Sequence, residues 1–355
     1  MDFSKVTAYL DSLSGMGIPA NDLMVTVDGE CVYRHQSGFR DLEGKTPMNG
    51  KEVYWIYSMT KPLTCCCALR LIQEGRLGLD DAVCEYIPAF MKYPSMTVEH
   101  LMSMRGGLDY DLNIPAIKAL GPDATTRDIV SAMAEKPLCF EPGTDFQYSL
   151  CHDVLAAVIE AASGMRFSDF MAETIFRSLG MEHSGFHMTD YQKANMCAQY
   201  EMEADQKTVH PIGNMTHYYV ITDNYESGGA GLITTVEDYM KFASAMAKGG
   251  SGILTMDTID LWRGRLVTGK AKESFDLFNR IGYSYGLGVR VLIDGSKSKS
   301  PVGEFGWDGA AGAYTIMDPQ NRVAVVYAQH VRNCGPAYAV VHPTLRDLVY
   351  EALEK

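Results

Sequence analysis

The sequence predicts an α+β fold in which an antiparallel sheet, flanked by terminal helices, carries an inserted, mainly helical lobe. Strand-like patterns occupy the first 57 residues and return from Gly228 onward, whereas helical periodicity dominates the segment between them. The 355 residues also exceed the length at which single cores usually stop growing, which favours two lobes. We therefore assign residues 1–75 and 221–355 to a discontinuous sheet lobe and residues 76–220 to the helical lobe.

The N-terminal part begins with a helix, predicted over roughly residues 3–13, that leads into short strands. Apolar and β-branched runs on either side of Asp28-Gly29 predict a hairpin, because this dipeptide favours a tight turn between two strands. The next helix is predicted to start at Ser58 and to stop at about Gly75, a residue type that commonly follows the last helical turn.

Helices are predicted in the middle of the chain because four segments carry apolar residues at i, i+3 and i+4 spacing. These segments are "TVEHLMSM", "TTRDIVSAMAEK", "CHDVLAAVIEAASG" and "FSDFMAETIFRSLG". Thr97, Thr126 and Ser168 stand near an acidic residue at the starts of three of them and are predicted to be N-caps.

Strands return in the C-terminal part of the sequence. The stretch "GGAGLITTVEDYMKFASAMAKGG" predicts a Gly-rich turn, a short strand and a capped helix. Three later stretches, "YSYGLGVRVLID", "FGWDGAAGAYTIMDPQ" and "RVAVVYAQHV", predict antiparallel strands joined by turns such as Asp318-Pro319. The segment "TLRDLVYEALEK" predicts a final helix, so both ends of the chain contribute helices that can cover the sheet.

Composition excludes several classes of function. A formal charge of -13 and a pI near 5.1, without a run of Lys and Arg, argue against a nucleic-acid surface and against an anionic membrane surface. No segment approaches the roughly 20 consecutive apolar residues of a membrane span. The start of the sequence lacks the basic end and apolar stretch of a secretory signal, so we expect a cytoplasmic protein.

Cysteine and histidine spacing indicates neither a metal site nor a cofactor. The nine cysteines are odd in number and show no C-x-x-C spacing, which is typical of reduced thiols in a cytoplasm. Cys65, Cys66 and Cys67 point about 100° apart on a helix and cannot converge on one ion, so we expect them to be small buried apolar residues. The sequence also lacks H-E-x-x-H, G-x-S-x-G, G-x-x-x-x-G-K-[ST] and G-x-G-x-x-G.

Ser58-x-x-Lys61 is the strongest candidate for chemistry. One helical turn separates the two residues, so their side chains share a face, and the amides of a helix N-terminus suit an oxyanion. A lysine held in an apolar setting can lose its proton near neutral pH and act as a base. The alternative is an N-capping serine with a solvent-facing lysine. The same spacing occurs at Ser296-x-x-Lys299 in the polar run "GSKSKS", which is typical of a solvated loop, so the spacing alone does not indicate a catalytic pair.

Context distinguishes the two pairs, because the chain resembles the serine hydrolases related to β-lactamases and penicillin-binding proteins. The resemblance is to the class C β-lactamase-like branch of esterases and peptidases, and it covers nearly the whole chain. The segment "VYWIYSMTKPLTCCCALRLIQEGRLGLDDAVCEYIP" is similar to the family's nucleophile helix, and "TVEHLMSMRGGL" to a segment that usually reads H-L-L-T-H-T-S-G-L. The stretches "FEPGTDFQYSLCHDVLAAVIEAASG", "GGAGLITTVEDYMKFASAM", "YGLGVRV" and "FGWDGAAG" match the later motif regions in order.

The resemblance implies roles for individual residues. Ser58 takes the position of the acylated nucleophile, and Lys61 that of its lysine partner. Tyr148 takes the position of the tyrosine that acts as general base in acylation and then protonates the leaving group. Because Lys61 flanks it, we expect the pKa of Tyr148 to fall toward neutrality. The backbone amides of Ser58 and Ala310 are expected to form the oxyanion hole.

Two motifs depart from the family pattern. The usual Tyr-x-Asn is Tyr148-Ser149-Leu150 here, so an amide-binding side chain is replaced by what we expect to be an apolar pocket wall. The usual Lys-Thr-Gly is Trp307-Asp308-Gly309, which removes a cation beside the tyrosine and adds a negative charge. Leu150 and residues 307–309 are therefore predicted to contact substrate. Strand alternation lets only one of Trp307 and Asp308 face the nucleophile, and the sequence leaves that choice open.

Both departures favour neutral acyl esters with an apolar part over anionic β-lactams. The sequence therefore predicts a serine hydrolase, and among these a carboxylesterase with weak or no β-lactamase activity, whose active site lies in the cleft between the lobes. The predicted partner is a small-molecule acyl substrate, with no nucleic acid and no cofactor. Amide or D-amino-acid peptide hydrolysis and acyl transfer begin with the same acylation and stay open. A non-catalytic binding or sensor protein is the third possibility, and the oligomeric state is open.

Overall fold

A seven-stranded antiparallel sheet forms the centre of the fold in a computed structural model, which describes residues 1–110, 119–212 and 222–354. Twelve strands belong to the described residues: β1 Ala20–Val27, β2 Glu30–Gly38, β3 Val53–Trp55, β4 Gln199–Met202, β5 Val209–Ile212, β6 Ile233–Thr235, β7 Tyr283–Tyr285, β8 Arg290–Leu292, β9 Phe305–Gly306, β10 Tyr314–Asp318, β11 Val323–Ala328 and β12 Val331–Arg332. The central sheet has the order β2-β1-β11-β10-β9-β8-β7, so strands from the two ends of the chain pair at β1 and β11.

Helices account for most of the remaining described structure. The α-helices are α1 Ser4–Ser12, α2 Thr60–Gln73, α3 Val83–Tyr86, α4 Val98–Met102, α5 Thr126–Met133, α6 Cys151–Ser163, α7 Phe167–Met171, α8 Arg177–Leu179, α9 Asp190–Asn195, α10 Val236–Ala247, α11 Met256–Gly264, α12 Gly269–Asp276 and α13 His342–Leu353. A π-helical segment, Ala172–Phe176, joins α7 to α8. None of the helices in the described ranges is long and apolar enough to cross a membrane.

The two faces of the central sheet are covered by different helices. Side chains that alternate along β10 and β11, such as Ile316 and Val325, pack with the terminal helices α1 and α13. The intervening side chains, such as Met317 and Val326, belong to the larger core that includes α2, α6 and α10. The period of two in a strand explains this division, because successive side chains point to opposite faces. The predicted α+β fold with terminal helices is confirmed.

The predicted turns and helix ends agree with the structure at several positions. Asp28 and Gly29 both have positive φ, 54° and 85°, which is the conformation that a two-residue hairpin turn requires. Gly75 has a φ of 69° just after α2, as expected for a residue that ends a helix. Cys65, Cys66 and Cys67 are fully buried in α2 and pack as small apolar residues, as predicted.

Two of the three predicted N-caps are wrong. Thr97 does cap α4, through a hydrogen bond from the His100 amide. The cap of α5 is Thr125 rather than Thr126, since the Thr125 hydroxyl accepts from the Asp128 amide. Ser168 lies inside α7, where its hydroxyl donates to Glu226 instead of capping the helix. Two consecutive threonines make it impossible to tell from the sequence which one is the cap. A serine near a helix start can instead form a hydrogen bond with an acceptor from a distant segment, as Ser168 does with Glu226.

Strands also occur within the segment predicted to be mainly helical. β4 and β5 lie between residues 199 and 212, and β4 pairs in parallel with β12 of the C-terminal segment. These strands are too short and too polar to give a clear alternation in the sequence. The division into two lobes stays a prediction, and its boundary near residue 220 lies outside the described residues.

Candidate active site

Ser58 lies in a tight turn at the start of α2. Tyr57–Met59 form a 3₁₀ turn that leads directly into the helix, and Tyr57 has a φ of 48°, in the left-handed region that a bulky residue rarely adopts. The Thr60 hydroxyl donates to the Tyr57 carbonyl at 2.6 Å and holds this turn. Ser58 is 7% exposed, so its hydroxyl lies just below the surface.

Lys61 directs its amine at the Ser58 hydroxyl. Its Nζ donates to Ser58 Oγ at 3.1 Å and to the carbonyl of Gly229 at 2.7 Å. The side chain is 1% exposed, and burial lowers its pKa to about 8, while the negative charge of Asp153 opposes this shift. A substantial fraction of Lys61 is therefore neutral near physiological pH, as a proton acceptor for Ser58 requires.

Tyr148 lies three residues before the start of α6 and contacts both members of the pair. Lys61 Nζ stands 4.6 Å from the centre of the Tyr148 ring, and a hydrogen bond with Ser58 favours the ionised phenol. The indole N–H of Trp307 donates to the Tyr148 oxygen at 2.9 Å. Burial nevertheless outweighs these contacts and raises the pKa of Tyr148 above its usual range. The predicted fall of this pKa toward neutrality is wrong, since Lys61 faces the ring rather than the hydroxyl.

The structure decides which residue of the third motif faces the site. Trp307 lies against Tyr148 with the two ring centres 5.6 Å apart. Asp308 points to the other side of the strand, where Arg280 donates to its carboxylate and His342 Nδ1 lies 3.8 Å away. The negative charge predicted next to the nucleophile is therefore directed away from it. The tryptophan retains an N–H donor to the tyrosine but does not carry the positive charge of a lysine.

The predicted oxyanion-hole residues lie in adjacent segments. The turn at residues 309–312 is closed by hydrogen bonds from Gly309 N to Ala313 O and from Gly312 N to Gly309 O, at 2.8 and 2.9 Å. A Cβ on Gly309 would stand only 2.2 Å from the carbonyl of Ile56, so this turn packs directly on the segment that leads to Ser58. Ala310 is exposed in the turn. The geometry is compatible with a joint role for the two amides, which remains a prediction.

Leu150 is placed differently from the predicted apolar wall of an open pocket. It directly precedes α6, is 2% exposed and belongs to the main hydrophobic core. Its side chain therefore packs in the core and offers little surface to a bound molecule.

A buried carboxylate that the sequence analysis missed lies behind Lys61. Asp153 on α6 accepts hydrogen bonds from the hydroxyls of Tyr225 and Ser227, both at 2.6 Å. The loop that these residues belong to brings the Gly229 carbonyl to Lys61, and a Cβ on Gly229 would collide with Asp153 Oδ2 at 2.7 Å. An acidic residue within the apolar run "CHDVLAAVIEAAS" is the sequence signal that could have identified it.

An aromatic and aliphatic rim next to Tyr148 was also missed. The rings of Tyr110 and Phe278 lie 5.9 and 5.6 Å from that of Tyr148, centre to centre. Leu277 and Ile281, on the same short segment as Phe278, are 85% and 67% exposed. Of these residues, Tyr110 and Phe278 contact the Tyr148 ring, and exposed apolar surface beside a reactive group is typical of a binding surface.

The chain is similar to known proteins over nearly its whole length. The sequence matches the profile of the Beta-lactamase family over residues 6–344. It is 26% identical to the esterase EstB of Burkholderia gladioli over 385 residues, covering 99% of this chain and 96% of the relative. Among solved structures, EstCE1, "a hydrolase with promiscuous acyltransferase activity", is similar with a TM-score of 0.83, 24% identity and coverage of 99% and 98% of the two chains. Unliganded simvastatin synthase (LovD) of Aspergillus terreus gives a TM-score of 0.84 at 18% identity, with both chains fully covered.

Proposed function

The chain belongs to the Beta-lactamase family, a family of serine hydrolases, and we propose that it is a carboxylesterase that forms an acyl-enzyme at Ser58. One observation carries this proposal. Buried Ser58, a buried lysine of lowered pKa and the half-buried Tyr148 meet in one cluster, with Lys61 Nζ 3.1 Å from Ser58 Oγ and over the ring of Tyr148. A nucleophile in contact with a base and an acid is the arrangement that acyl transfer requires.

Acylation follows from the protonation states in this cluster. Neutral Lys61 takes the proton of Ser58 as the serine oxygen bonds to the ester carbonyl carbon, and the carbonyl oxygen becomes negatively charged. Tyr148, whose raised pKa keeps it protonated, donates its proton to the departing alcohol as the carbon–oxygen bond breaks. The Lys61 ammonium then returns its proton to the phenolate, which is the stronger base of the two, so the cluster is restored.

Two further groups support the charged intermediate. The amides of Ser58 and Ala310 are proposed to donate to the carbonyl oxygen, since the turn that holds Ala310 packs on the segment preceding Ser58. Deacylation reverses the proton path with water in place of the alcohol. Each positioned donor is worth about 2.7–4 kcal/mol in comparable hydrolases.

The surroundings of Tyr148 favour an apolar acyl ester. Phe278, which is 39% exposed and lies against Tyr148, offers apolar surface at the site, and burial of such surface contributes about 25 cal/mol per Å². The third motif carries a neutral indole in place of a lysine, which removes the charge that an anionic β-lactam would contact. The esterase EstB, which is similar over nearly the whole chain, supports the same substrate class.

A series of p-nitrophenyl esters from acetate to octanoate tests the proposal. We expect kcat/KM to rise with acyl length, and nitrocefin and D-amino-acid p-nitroanilides to be hydrolysed at least about 100-fold more slowly than the best ester, the cost of about 2.7 kcal/mol in transition-state binding. Nitrocefin hydrolysis at the rate of the best ester would refute the substrate class. An absence of turnover with every ester, amide and lactam would favour a binding protein, and transfer to an added alcohol faster than hydrolysis would favour an acyltransferase.

A further inference from the structure

A second cavity lies on the opposite side of the strand that carries Trp307. It has a volume of about 340 Å³ and opens between the sheet and the start of α13. Four cationic side chains line it: Arg280, Arg290, Lys297 and Arg346. Asp308 is the acidic residue among the side chains that line this cavity. Pockets of this size accommodate small organic ligands.

Positive charge predominates among the side chains that line the cavity, since Asp308, which pairs with Arg280, is their acidic member. Three further carboxylates interact with lining residues from outside the lining. Glu304 accepts from the hydroxyl of Tyr283, Asp347 accepts from Arg346 at 2.8 Å, and Asp294 interacts electrostatically with Lys297. Within the lining itself, four cations stand against one carboxylate. His342 adds none near neutral pH, because burial lowers its pKa to about 4.

Two guanidinium nitrogens in this cavity lack a hydrogen-bond partner among the described residues. Arg290 is 2% exposed, donates through Nη2 to the Thr315 carbonyl at 2.6 Å and lies 4.3 Å from the centre of the Tyr314 ring, but its Nη1 is buried without an acceptor. Nε of Arg280 is likewise buried and unsatisfied. A buried unsatisfied donor of a charged group is costly, and a bound acceptor removes that cost.

We propose that this cavity binds a carboxylate monoanion with a flat apolar body. A carboxylate complements a lining that holds four cations and one acidic residue, and its oxygens can accept from guanidinium groups, the pairing that planar Arg groups favour. The rings of Tyr314 and Tyr338 and the exposed side chain of Ile281 supply surface for the body. The carboxylate belongs either to a free small acid or to the far end of a substrate.

The cavity wall contacts the turn at residues 309–312, which carries Ala310. Tyr338 donates to the Gly309 carbonyl at 2.8 Å, and His342 Nε2 lies 3.0 Å from the Gly312 carbonyl, so both lining residues hold the turn that carries Ala310. Arg280, which would turn toward the ligand, is two residues from Phe278 at the rim of the site. Occupation of the cavity therefore reaches the site through the turn and the rim.

Calorimetric titration with benzoate and its neutral analogue benzamide tests the binding site without requiring turnover. We expect benzoate to bind at least about tenfold more tightly than benzamide, the value of one charge-assisted hydrogen bond. The protein whose Ser58 has been blocked by a fluorophosphonate should retain this binding. Arg280→Gln should weaken it by at least about tenfold, whereas Arg263→Gln, a control arginine that pairs with Asp260 away from the cavity, should not.

Equal affinity for benzoate and benzamide would overturn the proposal, as would loss of benzoate binding when Ser58 is blocked. Benzoate binding that survives both Arg280→Gln and Lys297→Gln would overturn it as well, and the second variant guards against misfolding of the first. The titration measures binding alone. A protein without esterase activity would therefore refute the proposed function, while benzoate binding could still support this site.

Kinetic measurements distinguish a free acid from the far end of a substrate as the source of the carboxylate. This second experiment rests on the proposed function. The probes are p-nitrophenyl butyrate and the mono-p-nitrophenyl ester of succinate, which differ by a terminal carboxylate. If the cavity receives the far end of a substrate, the half-ester has a KM at least about tenfold lower, and benzoate competes with it. If it receives a free acid, the half-ester gains nothing, and benzoate changes kcat without competing.

Discussion

The chain contains two Ser-x-x-Lys pairs that the spacing alone cannot tell apart. Ser58 and Lys61 are both buried, and their side chains are joined by a hydrogen bond of 3.1 Å. Ser296 lies in an exposed 3₁₀ turn, where its amide donates to Asp294, and the largely exposed Lys299 pairs with Glu351 at 3.1 Å. The same two residue types therefore produce a reactive cluster in one place and solvated surface in the other.

Burial explains the difference. An exposed lysine keeps its proton because water and a surface carboxylate both favour the ammonium. In the core the ammonium loses its hydration, and the pKa of Lys61 falls to about 8. The reactivity of a Ser-x-x-Lys pair therefore depends on its surroundings rather than on its spacing. Substitutions at both pairs and around Ser58 test this dependence.

Substitution of each serine should give opposite results. Ser58→Ala should lower kcat for the best ester by at least about 10⁴-fold, since loss of a nucleophile removes the covalent route, whereas Ser296→Ala should leave it unchanged. A fluorophosphonate should label Ser58 alone, as mapped by mass spectrometry of peptides. An adduct on Ser296 or on another serine would refute the assignment of the nucleophile.

The acid and base partners of Ser58 should act together. Tyr148→Phe and Lys61→Ala should each lower kcat by about 10²-fold or more, the usual contribution of a positioned proton-transfer group. The double variant should lose less than the product of the two effects, because both residues handle the same proton. Kinetics of the four proteins on one ester measure this coupling, and full additivity would mean that the two residues work independently.

Removal of the buried charge should stabilise the fold while it abolishes activity. The folded-state pKa of Lys61, about 8, lies below the unfolded value of 10.5. Burial of the charged amine therefore destabilises the fold fully below pH 8, and this destabilisation disappears as the pH rises to 10.5. Lys61→Met should therefore raise the free energy of unfolding at pH 7 by about 1–3 kcal/mol, on the scale of 1.36 kcal/mol per pKa unit, and by less at pH 9.5. Denaturant titrations at both pH values check this.

Lys299→Met is the matched control for that measurement, because its amine is exposed and paired at the surface. We expect Lys299→Met not to raise the free energy of unfolding at pH 7. A pH-independent gain for Lys61→Met would mean that improved packing, rather than the removed charge, stabilises the variant.

Loss of the indole donor should have the smallest effect. Trp307→Phe removes the hydrogen bond of 2.9 Å to Tyr148 and leaves an aromatic ring in its place, so kcat/KM should fall by about tenfold, the value of one hydrogen bond. The wild-type profile should rise with pH through a midpoint at about 8, where Lys61 loses its proton, and the variant should keep that midpoint. A midpoint that moves with Trp307 would assign the titration to Tyr148 instead.

Features that depend on neighbouring residues could be predicted from the sequence, whereas features that depend on distant parts of the chain could not. The hairpin at Asp28-Gly29, the end of α2 at Gly75 and the strand pattern of β10 and β11 depend on local conformation and alternation, and all three were predicted. The cap of α5 was wrong by one residue, and the strands β4 and β5 were missed, because a short strand gains its stability from partners far along the chain.

The sequence by itself determined the fold class, because periodicity and turn residues are local properties. It offered Ser58 and Lys61 through their spacing, and the resemblance to a known family singled them out together with Tyr148. Only the tertiary structure decided that Trp307 faces Tyr148 while Asp308 pairs with Arg280 on the other side of the strand. It also decided the direction of the pKa of Tyr148, since desolvation depends on everything that packs around a group. A cavity lined by four cations likewise exists only once distant segments meet.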